Sequence, residues 1–247
     1  MEFSHLESTV HSGSSRKGGT ELRILQEEIV QCRLCPRLVE WRERVACEKV
    51  RRFRREMYWG RPIPAFGDPE APLVLIGLAP AAHGGNRTGR MFTGDRSGDW
   101  LYEALHSFGF ANQPTSRHRD DGLVLTDCWV TAAVRCAPPA NKPQPQELAN
   151  CGRYLRNEIG LLHRAVVFVA LGRIAFGAFL KAWVGSGRTL SAPLPHFGHG
   201  RQFPLPGGTW LISSYHPSQQ NTLTGRLTRP MFHSVFAAAR RLLETAH

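Results

Sequence analysis

The sequence predicts an α/β protein: one central, mainly parallel sheet covered by helices on both faces. Three observations predict it. Apolar runs alternate with stretches of helical periodicity along most of the chain. One of those runs, Ala165-Val-Val-Phe-Val-Ala-Leu-Gly172, is continuously apolar, the pattern of a strand buried on both faces. A glycine-rich stretch, residues 77–95, joins an apolar run to a helical one, and open α/β sheets place their ligands at such loops. The 247 residues suffice for one domain with its own core, and no internal repeat is visible.

In chain order, residues 1–20 are rich in Ser and Gly and are expected to form a disordered tail, leaving 21–247 as a single domain. Glu21 to about Cys47 is helical in character, with Leu22, Leu25 and Ile29 near one face, and Pro36 marks a bend or a new helix start. The basic run Lys49-Val-Arg-Arg-Phe-Arg-Arg55 follows, either a solvated face or a phosphate contact. Turn-rich Arg61–Pro69 leads to the first strand, Pro72–Ile76. After the glycine loop comes a helix over Ser97–Ser107, then a strand within Gly122–Val134 and the proline-stiffened loop Arg135–Pro145. A helix over about Gln146–His163 precedes the apolar strand, and another spans Arg173–Val184. A Gly/Pro-rich segment leads to the last strand, Thr209–Tyr215, which ends in His216-Pro-Ser218. The final helix, Pro230 to about Thr245, opens with proline in its first turn.

Lys plus Arg outnumber Asp plus Glu by 31 to 20, a formal charge of +11 that suggests a polyanionic partner, most often nucleic acid. No apolar run is long enough to span a membrane, and the first twenty residues lack the apolar region of a secretory signal. A soluble, intracellular protein whose thiols stay reduced is expected.

Residues 77–95 read Gly-Leu-Ala-Pro-Ala-Ala-His-Gly-Gly-Asn-Arg-Thr-Gly-Arg-Met-Phe-Thr-Gly-Asp. Such a loop either carries a ligand or is a surface loop that happens to be rich in glycine. No Gly-Lys-Ser/Thr closes it, and the dinucleotide-binding glycine spacing is absent. Six cysteines occur. Cys32 and Cys35 form a C-x2-C pair beside the helix break; Cys136 opens the proline loop, and Cys151 lies 15 positions later. Four thiolates suit structural zinc or an iron–sulfur cluster, though about 100 residues between the pairs is atypical of a compact zinc finger. Cys128 falls in a strand pattern and is expected in the core.

Taken together, the glycine loop, the four cysteines and His216-Pro-Ser218 resemble the family-five (type b) branch of the uracil-DNA glycosylase superfamily, over roughly Leu22–Leu243. Gly77-Leu-Ala-Pro-Ala81 is similar to the first superfamily motif, Gly84–Asp95 to the extension typical of this branch, and His216-Pro-Ser218 to the second motif. The resemblance implies a bacterial or archaeal, cytoplasmic, monomeric DNA repair enzyme of the uracil-DNA glycosylase-like fold. It would hydrolyse the N-glycosidic bond of uracil, and of other deaminated bases such as hypoxanthine, in DNA. It implies a [4Fe-4S] cluster on Cys32, Cys35, Cys136 and Cys151 that shapes the fold and does no chemistry. Two departures bear on specificity. Ala79 stands where several uracil-specific branches carry an acid or Asn, and Thr131-Ala-Ala-Val134 where related branches carry Asn; both suit a broader pocket.

The resemblance also implies roles. His216 would hydrogen-bond the base carbonyl as charge builds there. Asp95 would orient water or offset charge on the sugar, with helix capping the alternative. Phe92 would lie against the flipped base, and Gly77, Ala79, Pro80 and Ala81 would form the base pocket. Asn141 would touch the base or the water, or serve turn geometry alone. Ser218 would meet the DNA backbone, Leu223 would act as an apolar wedge or pack inward, and Arg87, Arg90 and Arg226 would contact phosphates. The competing reading is a non-catalytic iron–sulfur or zinc protein that binds nucleic acid.

Overall fold

The computed structural model describes residues 12–245. Six strands form one sheet: β1 (Phe66–Gly67), β2 (Leu73–Gly77), β3 (Cys128–Ala132), β4 (Val167–Leu171), β5 (Gln202–Leu205) and β6 (Thr209–Ser214), ordered β1-β3-β2-β4-β6-β5. The four inner strands are parallel and begin almost level: Leu73 stands opposite both Cys128 and Val167, and Val167 opposite Trp210. Their carboxyl ends therefore line up as one rim, from which the loops carrying the candidate residues emerge. The antiparallel edge strands carry little sequence signal. β1 is two residues long, and β5 carries an exposed Gln202 and, opposite Trp210, Pro204, which only an edge tolerates.

Alternate residues along each inner strand face opposite cores. Leu73 and Leu75 of β2 join Leu101 and Leu105 of α4 (Arg96–Ser107) and Phe232 and Phe236 of α8 (Arg229–Glu244). Val74 and Ile76 face the other way, toward Leu155 and Ile159 of α5 (Pro145–Leu161) and Phe176, Phe179 and Trp183 of α6 (Arg173–Gly185). Helices thus cover both faces, as the alternation predicts. Cys128 is fully buried in the first of these cores. No described helix is long and apolar enough to cross a membrane.

A third, smaller core joins α1 (Ser12–Gln31) and α2 (Pro36–Glu48) to α5 through Leu25, Ile29, Leu38 and Tyr154. Pro36 starts α2, so the interruption is a new helix and not a kink. The expected tail needs correction: α1 begins at Ser12, inside the stretch 1–20, because a helix anchored through Leu22, Leu25 and Ile29 extends outward at one hydrogen bond per residue fixed. Residues 1–11 lie outside the described residues.

Candidate active site

The loop after β2 folds into a short helix, α3 (Gly85–Thr88), and returns to the start of α4. Close approach explains three of its glycines. A Cβ on Gly77 would sit 2.7 Å from the Phe92 ring, and one on Gly98 would sit 1.8 Å from the Phe92 carbonyl oxygen. Phe92 itself is held at φ 52°, a left-handed conformation that costs an aromatic residue on the order of 1–3 kcal/mol. A Cβ on Gly84 would fall 2.2 Å from Asp95 Oδ2. The loop is thus shaped around one ring and one carboxylate. Asp95 caps α4, its Oδ1 accepting from the Gly98 amide at 3.0 Å. Burial pushes its carboxyl pKa up, and the Gly98 and Ser97 amides offset only part of that.

Arg87 and Arg90 hold this loop and do not fit the role of phosphate ligands. Arg87 is buried, pairs with Glu56, donates from Nε to the His83 carbonyl at 2.8 Å, and lies 3.8 Å over the Phe53 ring. Arg90 is 4% exposed, grips both Asp121 oxygens at 2.8 and 2.9 Å, and also donates to Thr93 and Ser116. A glycine loop with few apolar anchors is fixed by its own cations, and these guanidinium groups spend most of their donors inside the protein, although Arg87 also borders the cleft beside Asp95.

His216 follows β6 and stacks on Phe92, with ring centroids 5.9 Å apart and planes at 27°. Burial depresses its pKa to about 4, so the ring is neutral and carries one N–H. Ser218 caps α7 (Gln219–Leu223), accepting from the Asn221 amide at 3.4 Å. Asn221 in turn donates to the His216 carbonyl at 2.9 Å, tying the short helix to the histidine. Leu223 is 65% exposed, which removes the inward-packing alternative. Arg226 is exposed, its guanidinium 4.7 Å over the Tyr215 ring, and faces no carboxylate in an ion pair among the described residues.

Asp95 and Asn141 line one cavity of about 270 Å³ at the carboxyl rim, together with Ala81. Asn141 sits in the turn Pro139–Asn141 with φ 55°, so turn geometry and a place at the site coincide. Of the other expected pocket residues, Gly77 lies under Phe92, and Pro80 is buried against Gly85. Ala79 packs against the cysteine-bearing core and does not line this cavity. Among the lining residues that the sequence reading did not place at the site are Trp41, Arg52 and His83. Arg52 had a signal in the basic run; Trp41, on α2, had none. On its other side Asp95 borders a cleft of about 890 Å³ lined by Arg52, Arg96, Arg117 and Gln219.

Cys32, Cys35, Cys136 and Cys151 border one small cavity beside Arg42 and Tyr154, and all four are free thiols. Burial pushes Cys136 up to about 12 and Cys151 to about 11, so each thiol keeps its proton unless a metal displaces it. Buried Arg42 donates to Cys136 Sγ at 2.9 Å while its Nε has no partner, and Asn150 donates to Cys35 Sγ at 3.3 Å. Cationic and amide donors around four sulfurs suit an anionic sulfur-rich group. No set of three or more His, Cys, Asp or Glu among the described residues closes around a single ion.

A family model described as the uracil DNA glycosylase superfamily matches residues 64–240. The chain is 55% identical to the Type-5 uracil-DNA glycosylase of Thermus thermophilus over 216 residues, 87% of this chain and 95% of that one. It is 50% identical to the Type-5 uracil-DNA glycosylase of Mycobacterium tuberculosis, over 85% of this chain and 78% of that one. The Type-4 uracil-DNA glycosylase of Thermotoga maritima is more distant, 30% identical over 62% of this chain and 67% of its own.

Proposed function

This chain belongs to the uracil DNA glycosylase superfamily, and from that premise we propose how its residues divide the work. It is a hydrolytic DNA N-glycosylase: it removes uracil from DNA by cleaving the N-glycosidic bond and leaves an abasic site. The observation that carries the division of labour is the arrangement at the rim. A desolvated carboxylate, Asp95, shares a cavity with Asn141, and neutral His216 stands on the neighbouring loop against Phe92.

The target base leaves the stack to reach this rim. As the bond breaks, positive charge develops on the sugar and negative charge on the base. His216, neutral and carrying a single N–H, donates to the base carbonyl without needing to lose a proton first. Aimed donors of this kind are worth about 2.7–4 kcal/mol in a dry site. Asp95, bordering both the cavity and the basic cleft, faces the sugar, balances its charge and accepts a proton from the attacking water. Asn141 fixes the same water or the base edge. The flanking phosphates lie along the cleft of Arg52, Arg96 and Arg117, with Arg226 and the exposed Leu223 on the α7 side.

Hypoxanthine falls within the same activity on this reading. The end of β3 offers no side-chain amide to select one base: Thr131 is buried and donates to Glu158 at 2.6 Å, and Ala132 and Ala133 follow. The four cysteines hold a [4Fe-4S] cluster, supported by their convergence on one cavity and by the donors around them. Glycosidic hydrolysis moves no electrons between centres, so the cluster contributes a four-thiolate staple joining the α1–α2 turn, the Cys136 loop and α5.

Incubation with oligonucleotides containing a single uracil or hypoxanthine, followed by alkaline cleavage, tests the reading. Strand breaks at both bases are expected. Breaks at uracil alone would confine the pocket to one base, and retention of DNA with no break would return the chain to a binding role.

A further inference from the structure

We propose that His83 is a third polar group of the Asp95–Asn141 cavity and holds the attacking water through its Nε2–H. This rests on the reading that the cavity receives the reacting sugar and its water. His83 lines that cavity beside Asp95 and Asn141. Its Nδ1 lies 3.1 Å from the hydroxyl of Tyr58, a residue only 8% exposed. The direction of that bond fixes the tautomer. Burial raises the Tyr58 phenol, which keeps its proton. Burial, with Arg52 and Arg87 nearby, holds His83 below the usual histidine range and so neutral. Phenol is the stronger acid and an imidazole nitrogen the stronger acceptor, so the hydroxyl donates to Nδ1. A neutral imidazole has one proton, which must then sit on Nε2.

No partner is recorded for Nε2 among the described residues, and His83 lines the cavity, so on this proposal the Nε2–H points there. The backbone keeps it there. The His83 carbonyl accepts from Arg87 Nε at 2.8 Å, and the next residue, Gly84, has its backbone against the Asp95 carboxylate. A water between them has a use for every group. One lone pair attacks the sugar C1′, and the other accepts from His83 Nε2–H. One proton passes to Asp95, and the other stays on the oxygen, which donates it as a hydrogen bond to the Asn141 amide oxygen. The C1′–N bond breaks with its electron pair leaving on the base, and a C1′–O bond replaces it. His216, on the Phe92 side, serves the base; His83 serves the water.

The test is single-turnover excision from uracil and 5-fluorouracil oligonucleotides, with melting temperature and abasic-site binding measured alongside. His83→Ala is expected to slow excision roughly 10- to 100-fold, the scale of a lost positioning contact. The factor should be the same for both bases, because 5-fluorouracil is the better leaving group and His83 does not touch it. His83→Gln, whose amide nitrogen reaches the Nε2 position, should recover most of the rate, and Tyr58→Phe should lose a few-fold by freeing the tautomer. Wild-type rates in His83→Ala would overturn the proposal while leaving the glycosylase reading intact. So would a loss concentrated on uracil, which would place His83 on the base, or a loss that tracks melting temperature and is not rescued by Gln. No excision by the wild-type protein would instead refute the reading on which it rests.

Discussion

At the scale of single residues, Asp95 combines a cap with a chemical group, and the two can be separated by charge. Its side chain caps α4, and Asn caps about as well as Asp. Its carboxyl pKa is raised by burial, so the fold gains from the protonated form at low pH and loses that contribution as pH rises through the folded value. Removing the charge at neutral pH therefore costs no electrostatic stability. Asp95→Asn is expected to keep the wild-type melting temperature while lowering single-turnover excision by about 10²-fold or more. A parallel fall of melting temperature and rate would reduce Asp95 to a cap. The pH profile carries the same logic. The acid limb should lie above the ordinary aspartate range, and no step should appear in the ordinary histidine range, because His216, at about 4, is already neutral there. A rate that falls as pH rises through about 6.5 would contradict the neutral-donor role of His216.

At the scale of elements, the arginines divide into those that build the glycine loop and those that reach outward. Arg90 and Asp121 are 4% and 8% exposed, and removing one partner of such a pair costs about 3–5 kcal/mol. Arg90→Ala should therefore lower the melting temperature by roughly 10 °C without changing how DNA affinity falls with salt. Arg226→Ala should do the reverse, leaving melting unchanged and reducing the salt slope by about one if it meets a phosphate. A smaller slope in Arg90→Ala measured below its melting range would show that the buried pair opens on DNA. The inward turn of these arginines was not legible in the sequence, because Glu56 and Asp121 each stand 31 positions from their partners. Strands β2, β3, β4 and β6 were legible, since burial of the inner strands leaves short, mostly apolar runs bounded by turns and helical stretches. The edge strands were not, because one face of pairing suffices for Gly67 and Pro204. Asp95 and His216 stand in motifs that the sequence displays, whereas Asn141 lies in a proline loop and meets Asp95 only through the fold. Trp41 and His83 became visible only once α2 and the glycine loop had packed together.

At the scale of the whole molecule, the four cysteines and the site share their supports. Cys35 stands just before α2, which carries Trp41 to the cavity; Cys136 opens the loop that carries Asn141. Cys151 lies on α5, where Arg37 of α2 grips Glu147 with two bonds of 2.7 Å and Gln26 of α1 reaches Glu158 at 2.8 Å. This ion pair, the hydrogen bond and the third core already join the segments, so a cluster there would tighten a frame that exists without it. The net charge of +11 gives no hint of this coupling; only the meeting of distant segments does. If a [4Fe-4S] cluster is the staple, anaerobically purified protein should be brown and contain about four irons and four sulfides per chain. Cys151→Ala should then lose iron, melting temperature and excision together, because metal binding is coupled to folding and both walls of the cavity loosen with it. That joint loss is the opposite of the pattern expected for Asp95→Asn, where only the rate falls. Stoichiometric zinc in protein made with ample iron would refute the cluster, and full activity in an iron-free Cys151→Ala protein would show that the hydrogen bonds of α1, α2 and α5 hold the site unaided.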